Sequence, residues 1–355
     1  MRLSSLSLQH FRNYAKRSFE FSPHATLLVG ENARGKTNIL EAISLVSTGE
    51  SFRAQKIEEM VEWKHEVGRI KLEIQNHDTG DQREEIEIVL TTGMVQNERA
   101  QKRKFLVDGA ARQKKSVVGS LTSVLFRPED MDLIAGSPST RRRFLDTVLS
   151  QSDREYRESL DSYEKALIRR NALLVVLREG NTTRSAFSFW DQLLVKHGNI
   201  LSEKRREFIE FLNARTDFPM TFRVEYEDST ISEHRLHQYA VEEVAAGHTL
   251  VGPHKDDIIT YLKNGEPNSE KELSSFGSRG EQRMAVLWLK TGELDFLEQK
   301  KQERPILLLD DIFSELDERH QQMVLELIDR QQTILTSTKA TLPKALGETV
   351  EYVEL

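Results

Sequence analysis

Residues 26–46 read TLLVGENARGKTNILEAISLV. A short apolar strand, TLLVG (26–30), runs into GENARGKT (30–37), which satisfies G-x-x-x-x-G-K-[ST], and the helical run NILEAISLV follows at once. Strand, glycine loop and helix in that order make a phosphate-binding loop, in which backbone N–H groups cradle phosphates and the helix dipole faces them. Gly30, Glu31, Asn32, Ala33, Arg34, Gly35, Lys36, Thr37 and Asn38 are the expected ATP contacts. Lys36 is expected to reach the β- and γ-phosphates, and the Thr37 hydroxyl to bind Mg2+. An ordinary glycine turn with a solvated lysine would not need these flanks.

Such a loop needs an acidic partner for its metal. ILLLDD (306–311) supplies one, as four apolar residues ending in two aspartates. A strand buried on both faces puts Asp310 at its C-terminal edge, where it can hold Mg2+ through water. Asp311 is placed to polarise an attacking water as general base. A third stretch, SSFGSRGEQR (274–283), opens a helix. Ser278 and Glu281 fit a capping box, S-x-x-E, yet free N–H groups beside Gly277 and Gly280 also make an anion site.

The rest of the 355-residue chain sets the frame. Hydrophobic residues are 38% and charged residues 30%, no apolar run has the length of a membrane span, and the N-terminus lacks a signal-peptide core. A cytoplasmic protein without a membrane partner is expected. Cysteine is absent, which excludes disulfides, thiolate metal sites and cysteine catalysis. Alternation at Ile70, Leu72, Ile74 and at Ile86, Ile88, Leu90, with HDTGD (77–81) between, predicts antiparallel strands, and Asp108-Gly109 predicts a hairpin. From about 139 to 215 the spacing turns helical, and Gly180-Asn181 splits it into two antiparallel arms of roughly 25 residues and roughly 40 Å. The expected organisation is an α/β head over 1–120 and 247–355, with a mostly helical lobe over 121–246 inserted in it.

Together, LSLQHFRNY (6–14), the phosphate loop, SSFGSRGEQR and LLLDDIFSELD (307–317) resemble the ABC-type ATPase heads of the SMC group. Within that group, STGESFRA (47–54), LFRPEDMDLIAGSPSTRRRFLD (125–146) and TLVGPHKDD (249–257) are similar to the RecF family of bacterial recombination mediators. The resemblance runs from end to end, with the motifs in the expected order. It implies an ABC head with a P-loop sheet plus an antiparallel sheet. It further implies that two chains sandwich two ATP molecules, Ser278 and the N–H groups near Gly280 capping the γ-phosphate held by the other chain. Arg12 is implied to lie near the nucleotide and Asp317 at the dimer interface. The Q-loop falls near FRPED (126–130), with Glu129 where a glutamine is usual, and Thr336 and Ser337 stand where many relatives have a switch histidine. Glu281, usually glutamine, is expected to act as a brake on closure, partly offset by Arg279.

The implied function is an ATP-dependent DNA-binding protein of repair and replication. ATP closes a homodimer on double-stranded DNA at gap junctions, and weak, DNA-stimulated hydrolysis releases it, with RecR, RecO and RecA as partners. The net charge of −7 confines DNA contact to local basic patches: Lys102–Lys104, Arg112 with Lys114 and Lys115, Arg141–Arg143 and Lys204–Arg206. Three other readings fit less well. A transporter's nucleotide-binding subunit usually has a glutamate after Asp310 and the switch histidine. A structural SMC tether needs a long heptad coiled coil. A metabolic P-loop kinase has no use for SSFGSRGEQR (274–283), which the resemblance implies is the ABC signature segment.

Overall fold

The computed structural model describes residues 2–75, 83–263, 269–314, 318–338 and 350–355; the expected turn at 77–81 and Asp317 lie outside them. Two compact units appear, Met1–Glu129 with Glu293–Leu355, and Asp130–Gly292. The breaks at 129/130 and 292/293 differ from those read from sequence at 120/121 and 246/247. The second break moves because Asp257–Lys263 pairs antiparallel with Phe222–Glu227, which keeps the returning strand signal with the helices.

In the first unit, one sheet runs in the order Tyr14–Glu20, Arg2–Phe11, Val67–Gln75, Arg83–Thr91, Arg103–Val107, Ala110–Arg112. Its pairings are antiparallel, with Ile70 opposite Ile88 and Leu72 opposite Ile86. These residues are fully buried, as the period-two alternation requires. Asp108 and Gly109 both have positive φ, 49° and 75°, so the hairpin forms at the expected dipeptide.

The second sheet is parallel, in the order Ser123–Phe126, Ile306–Asp310, Thr333–Ser337, Ala25–Val29, Val350–Glu354. The helix Lys36–Thr48 buries Ile39, Leu40, Ile43 and Val46 in one core with Leu6 and Leu8 of the antiparallel sheet and with Leu308 and Ile334 of the parallel one. Buried Gln332 adds a polar pin. Its amide accepts from Leu3 N (2.8 Å) and donates to Leu3 O (2.7 Å) and Ser22 O (2.8 Å), next to the register shift between Leu3 and Ser5.

The second unit holds the helix pair Arg154–Arg178 and Ser188–Asn213, 25 and 26 residues long as the periodicity predicts. Asp153 caps the first helix, accepting from Glu155 N and Tyr156 N. Between the helices lies charge as well as apolar packing. Arg205, 2% exposed, donates to Asp256 and Pro253 O (2.8 Å each), to Asp146 (2.8 Å) and to Tyr156 Oη (3.1 Å). Asp256, fully buried, also accepts from Ser229 N (2.7 Å) and from the Tyr226 hydroxyl. Asp257 takes a bidentate pair from Arg141 at 2.6 and 2.7 Å. His254 accepts from the Tyr163 hydroxyl at Nδ1 (2.7 Å) and donates from Nε2 to Thr249 O (3.0 Å). GPHKDD (252–257) is thus the polar knot of this unit.

Breaking the knot has measurable consequences. Asp256→Asn leaves Arg205 buried without its full counter-charge and is expected to remove about 3–5 kcal/mol from the stability of the unit, read by chemical denaturation. Burial takes the His254 imidazole down to about 4, and the nearby Lys255 and Arg142 push the same way. A folded value below the unfolded one means that the unfolded chain binds the proton first. Stability is therefore full above about pH 6.5 and falls as the pH drops towards 4, by up to about 3 kcal/mol. His254→Gln should flatten that part of the pH profile relative to the parent chain.

Candidate functional site

Register builds this site. In the parallel sheet Asp310 lies beside Thr336, and Thr336 beside Leu28, so three strand ends finish level with the loop that starts at Gly30. Asp310 Oδ1 accepts from Thr37 Oγ1 at 3.0 Å and from Thr336 Oγ1 at 2.9 Å. Thr336 Oγ1 in turn accepts from Asp311 N at 2.9 Å. The Asp311 backbone is left-handed, φ 49°, so the strand stops abruptly there. Ala33 is left-handed too, at φ 67°. Non-glycine residues held this way cost on the order of 1 kcal/mol or more, and such strain gathers at functional sites.

The loop itself is tightly held. Gly35 has φ 104°, and a Cβ there would lie 2.6 Å from the Tyr14 hydroxyl and 2.7 Å from Asn13 Oδ1, so only glycine fits. Asn13 donates to Arg34 O (3.1 Å) and accepts from Asn38 Nδ2 (2.9 Å). Lys36 folds back, donating to Gly30 O (2.6 Å) and Glu31 O (2.9 Å). Glu31, Asn32, Ala33 and Arg34 are exposed, leaving the rim of the loop open to solvent. Burial, followed by the carboxylates of Glu129 and Asp311, pushes the Asp310 carboxyl above its usual range, against the lowering hydrogen bonds of Thr336 and Thr37. Glu129 is therefore close enough to act on Asp310. Hard oxygen donors amid surplus negative charge suit Mg2+, which would relieve that charge.

Arg12 does something the motif did not suggest. Its guanidinium grips Glu41 of the loop's helix at 2.6 and 2.8 Å and donates to Glu59 O at 2.7 Å. Glu41, completely buried, also accepts from the Ser51 hydroxyl. Arg12 thus anchors the helix behind the phosphate loop through most of its hydrogen-bonding capacity. Glu41 and Ser51 escaped the sequence reading because a buried acid on an apolar helix face has no local signature.

In the second unit the signature segment opens the helix Arg279–Lys301 with the expected reciprocal cap. Ser278 N donates to Glu281 (2.7 Å), and Glu281 N donates to Ser278 Oγ (3.3 Å). Lys271, which sequence reasoning missed, binds both Glu281 oxygens at 2.6 and 2.8 Å. That contact, with the Ser278 N–H, holds the Glu281 carboxyl below its usual range. An approaching phosphate would meet an ion pair rather than a bare carboxylate, because Lys271 already offsets the Glu281 charge. Gly277 has an internal reason to be glycine, a Cβ falling 2.6 Å from Leu273 O; Gly280 has none, with open space around it. Ser278 and Gly280 are exposed, as is Phe276 at 72%.

The basic clusters separate. Arg205 is buried, Arg141 is paired with Asp257, Lys204 with Asp153 (2.8 Å) and Arg206 with Asp228 (3.0 Å), so those two runs are largely structural. Near the hairpin, Lys102 pairs with Glu58 (3.1 Å), and Arg103 and Lys114 with Glu50, while Lys104 and Arg112 are exposed on the outer strands.

The RecF/RecN/SMC N terminal domain family matches residues 2–352. The DNA replication and repair protein RecF of Lachnoclostridium phytofermentans is 35% identical over 350 residues, 95% of this chain and 93% of that protein. That of Shouchella clausii is 35% identical over 365 residues, 96% and 94% of the two chains. Among solved structures, the recombination mediator protein RecF with ATP superposes with a TM-score of 0.85 at 29% identity, over 96% of this chain and 93% of that one. An SMC head bound to the C-winged helix domain of ScpA shares the fold, with a TM-score of 0.52 at 17% identity over 100% and 94%.

Two substitutions test the geometry. Thr336→Val removes the hydroxyl joining Asp310 to Asp311 N and is expected to lower stability by about 1–3 kcal/mol and to weaken Mg2+-dependent nucleotide binding, read by thermal melting and nucleotide titration. Lys36→Arg replaces a compact ammonium with a planar fork and should lower nucleotide affinity about tenfold or more.

Proposed function

The chain belongs to the RecF family within the RecF/RecN/SMC group, and from that premise we propose that it is an ATP-operated DNA clamp of recombinational repair. The observation that carries the reading is the hydrogen-bonded row Thr37–Asp310–Thr336 at the mouth of the phosphate loop. Thr37 and Asp310 would hold Mg2+, which neutralises charge on the β- and γ-phosphates. Lys36 exchanges its loop carbonyls for phosphate oxygens. Asp311 takes a proton from the attacking water, and Glu129, where a Q-loop glutamine is usual, adds its negative charge to that of Asp310.

Closure would bring a second copy onto this site. The signature of one chain caps the γ-phosphate held by the other, so Lys36 and Ser278 belong to opposite halves of a composite site. The open surroundings of Gly280 and the exposed Phe276 support this, because no neighbour among the described residues calls for either of them. A helix N-terminus with its cap in place presents N–H groups to such an anion. Glu281, paired with Lys271, would brake closure only weakly.

The closed pair would hold duplex DNA near gaps and help load RecA with RecO and RecR. Exposed Lys104 and Arg112 are the best-placed phosphate contacts, and backbone contacts of this kind carry no base specificity. Hydrolysis would be slow and raised by DNA.

Mass measurements with ATP, duplex, both and neither give the decisive test: the dimer is expected only where ATP is present. A chain that stays monomeric with ATP and DNA together excludes the clamp. Asp311→Asn should retain ATP binding, hydrolyse more slowly and stay dimeric on DNA for longer; an unchanged rate would take the base role away from Asp311. Lys104→Glu with Arg112→Glu should weaken duplex binding and flatten its logarithmic salt dependence by about 0.9 for each DNA phosphate that is no longer neutralised.

A further inference from the structure

Away from the phosphate loop, the first unit brings together His10, Glu62 and His65, which the nucleotide reading leaves unused. The backbone fixes them first. The segment after the short helix Ile57–Met60 is tied to the end of the strand Arg2–Phe11 by Arg12 N to Met60 O (2.8 Å), a bridge between Phe11 and Val61, and Glu62 N to His10 O (2.9 Å). His10 is left-handed, φ 48°. Gly68 passes so close that a Cβ there would lie 2.6 Å from His10 O, so the chain is pressed into place from the neighbouring strand too.

The side chains then converge on one atom. Glu62 Oε2 lies 2.6 Å from His10 Nδ1 and 3.4 Å from His65 Nε2. The two imidazoles stack at 3.8 Å between centroids and 16° between planes. All three candidate donor atoms fall within 4.8 Å of one another. Side-chain exposures of 30%, 23% and 44% leave an entry path for an ion.

We propose that His10 Nδ1, His65 Nε2 and the Glu62 carboxylate form a Zn2+-class site with an open fourth position. Two imidazoles and one carboxylate are a donor set for a borderline ion such as Zn2+, whereas Mg2+ and Ca2+ favour oxygen alone. Tetrahedral coordination at 2.0–2.1 Å needs donors about 3.3 Å apart. His65 Nε2 already stands at 3.4 Å from the carboxylate, while His10 Nδ1 must draw back from 2.6 Å and the stacked rings must turn to aim both nitrogens at one ion. Both imidazoles bind an ion through their neutral, unprotonated nitrogens. A bound ion would tie the 57–65 segment to the strand end that presents Arg12, and through Arg12 to Glu41 on the helix behind the phosphate loop.

The test uses the full, untagged chain stripped with EDTA, titrated with Zn2+ against a chromophoric chelator and melted with and without one equivalent. One Zn2+ per chain and a higher melting temperature are expected. His65→Ala, at the most exposed ligand, should abolish the thermal shift and weaken binding by more than the roughly 10–100-fold that loss of an outer-shell partner costs. Glu62→Gln should weaken it as well, and excess Mg2+ should not compete. No stoichiometric uptake by the parent chain would overturn the proposal. So would uptake that survives in both variants, since the ion would then sit on other histidines, such as His234 and His237 of the helix Glu233–Gln238.

Discussion

The register of three parallel strands is the constraint on which the nucleotide site rests. Thr333–Ser337 lies between the loop strand and the aspartate strand, and its pairing sets Thr336 level with both Leu28 and Asp310. A parallel register slipped by one residue would turn Asp310 to the other face of the sheet and separate it from Thr37. That register is protected because Leu307, Leu308, Leu309, Ile334 and Leu335 are buried, so any slip moves several apolar side chains together. The strand edge that carries Asp310 is as precise as the core behind it.

The second unit solves a different problem. Two helices of about forty ångströms need a defined pairing, and a purely apolar seam between them tolerates sliding. Arg205 and Asp256 supply direction, because their hydrogen bonds with Asp146, Tyr156, Tyr226 and Ser229 are satisfied in one arrangement. Arg170 does the same farther along, buried and paired with Asp191 and Glu243 at 2.6 and 2.7 Å. Buried ion pairs add little net stability compared with apolar packing, but misplacing one leaves a bare charge in the interior. Such a network rewards one alignment and penalises its neighbours.

Charge on this chain therefore has three physical uses that composition does not separate. Arg12 holds a buried glutamate and steadies a helix, Arg205 fixes a helix pair, and Lys104 and Arg112 face solvent. Of the three, the last kind suits a nucleic-acid phosphate, because its charge is not spent on the fold. That division agrees with the net negative charge of −7 and points to a localised electrostatic footprint.

Sequence alone determined the local devices: the strand–loop–helix order around Lys36, the aspartates closing an apolar strand, the Ser278–Glu281 cap, the Asp108-Gly109 hairpin and the lengths of the helical arms. Each is legible because its cause lies within a few residues, in a φ value, a side chain reaching its own backbone, or a period of two or of 3.6. Tertiary structure decided the partners that lie far away along the chain. Thr336 joins Asp310 to Asp311 N, Glu41 receives Arg12 from 29 residues upstream, Lys271 meets Glu281, and Asp257–Lys263 joins the helical unit. The residues of GPHKDD likewise acquire their purpose from Tyr163, Arg205 and Arg141, each on a helix far from them in sequence. A side chain's partner across tens or hundreds of residues depends on how buried surfaces pack, and the order of residues along the chain carries no local record of that packing.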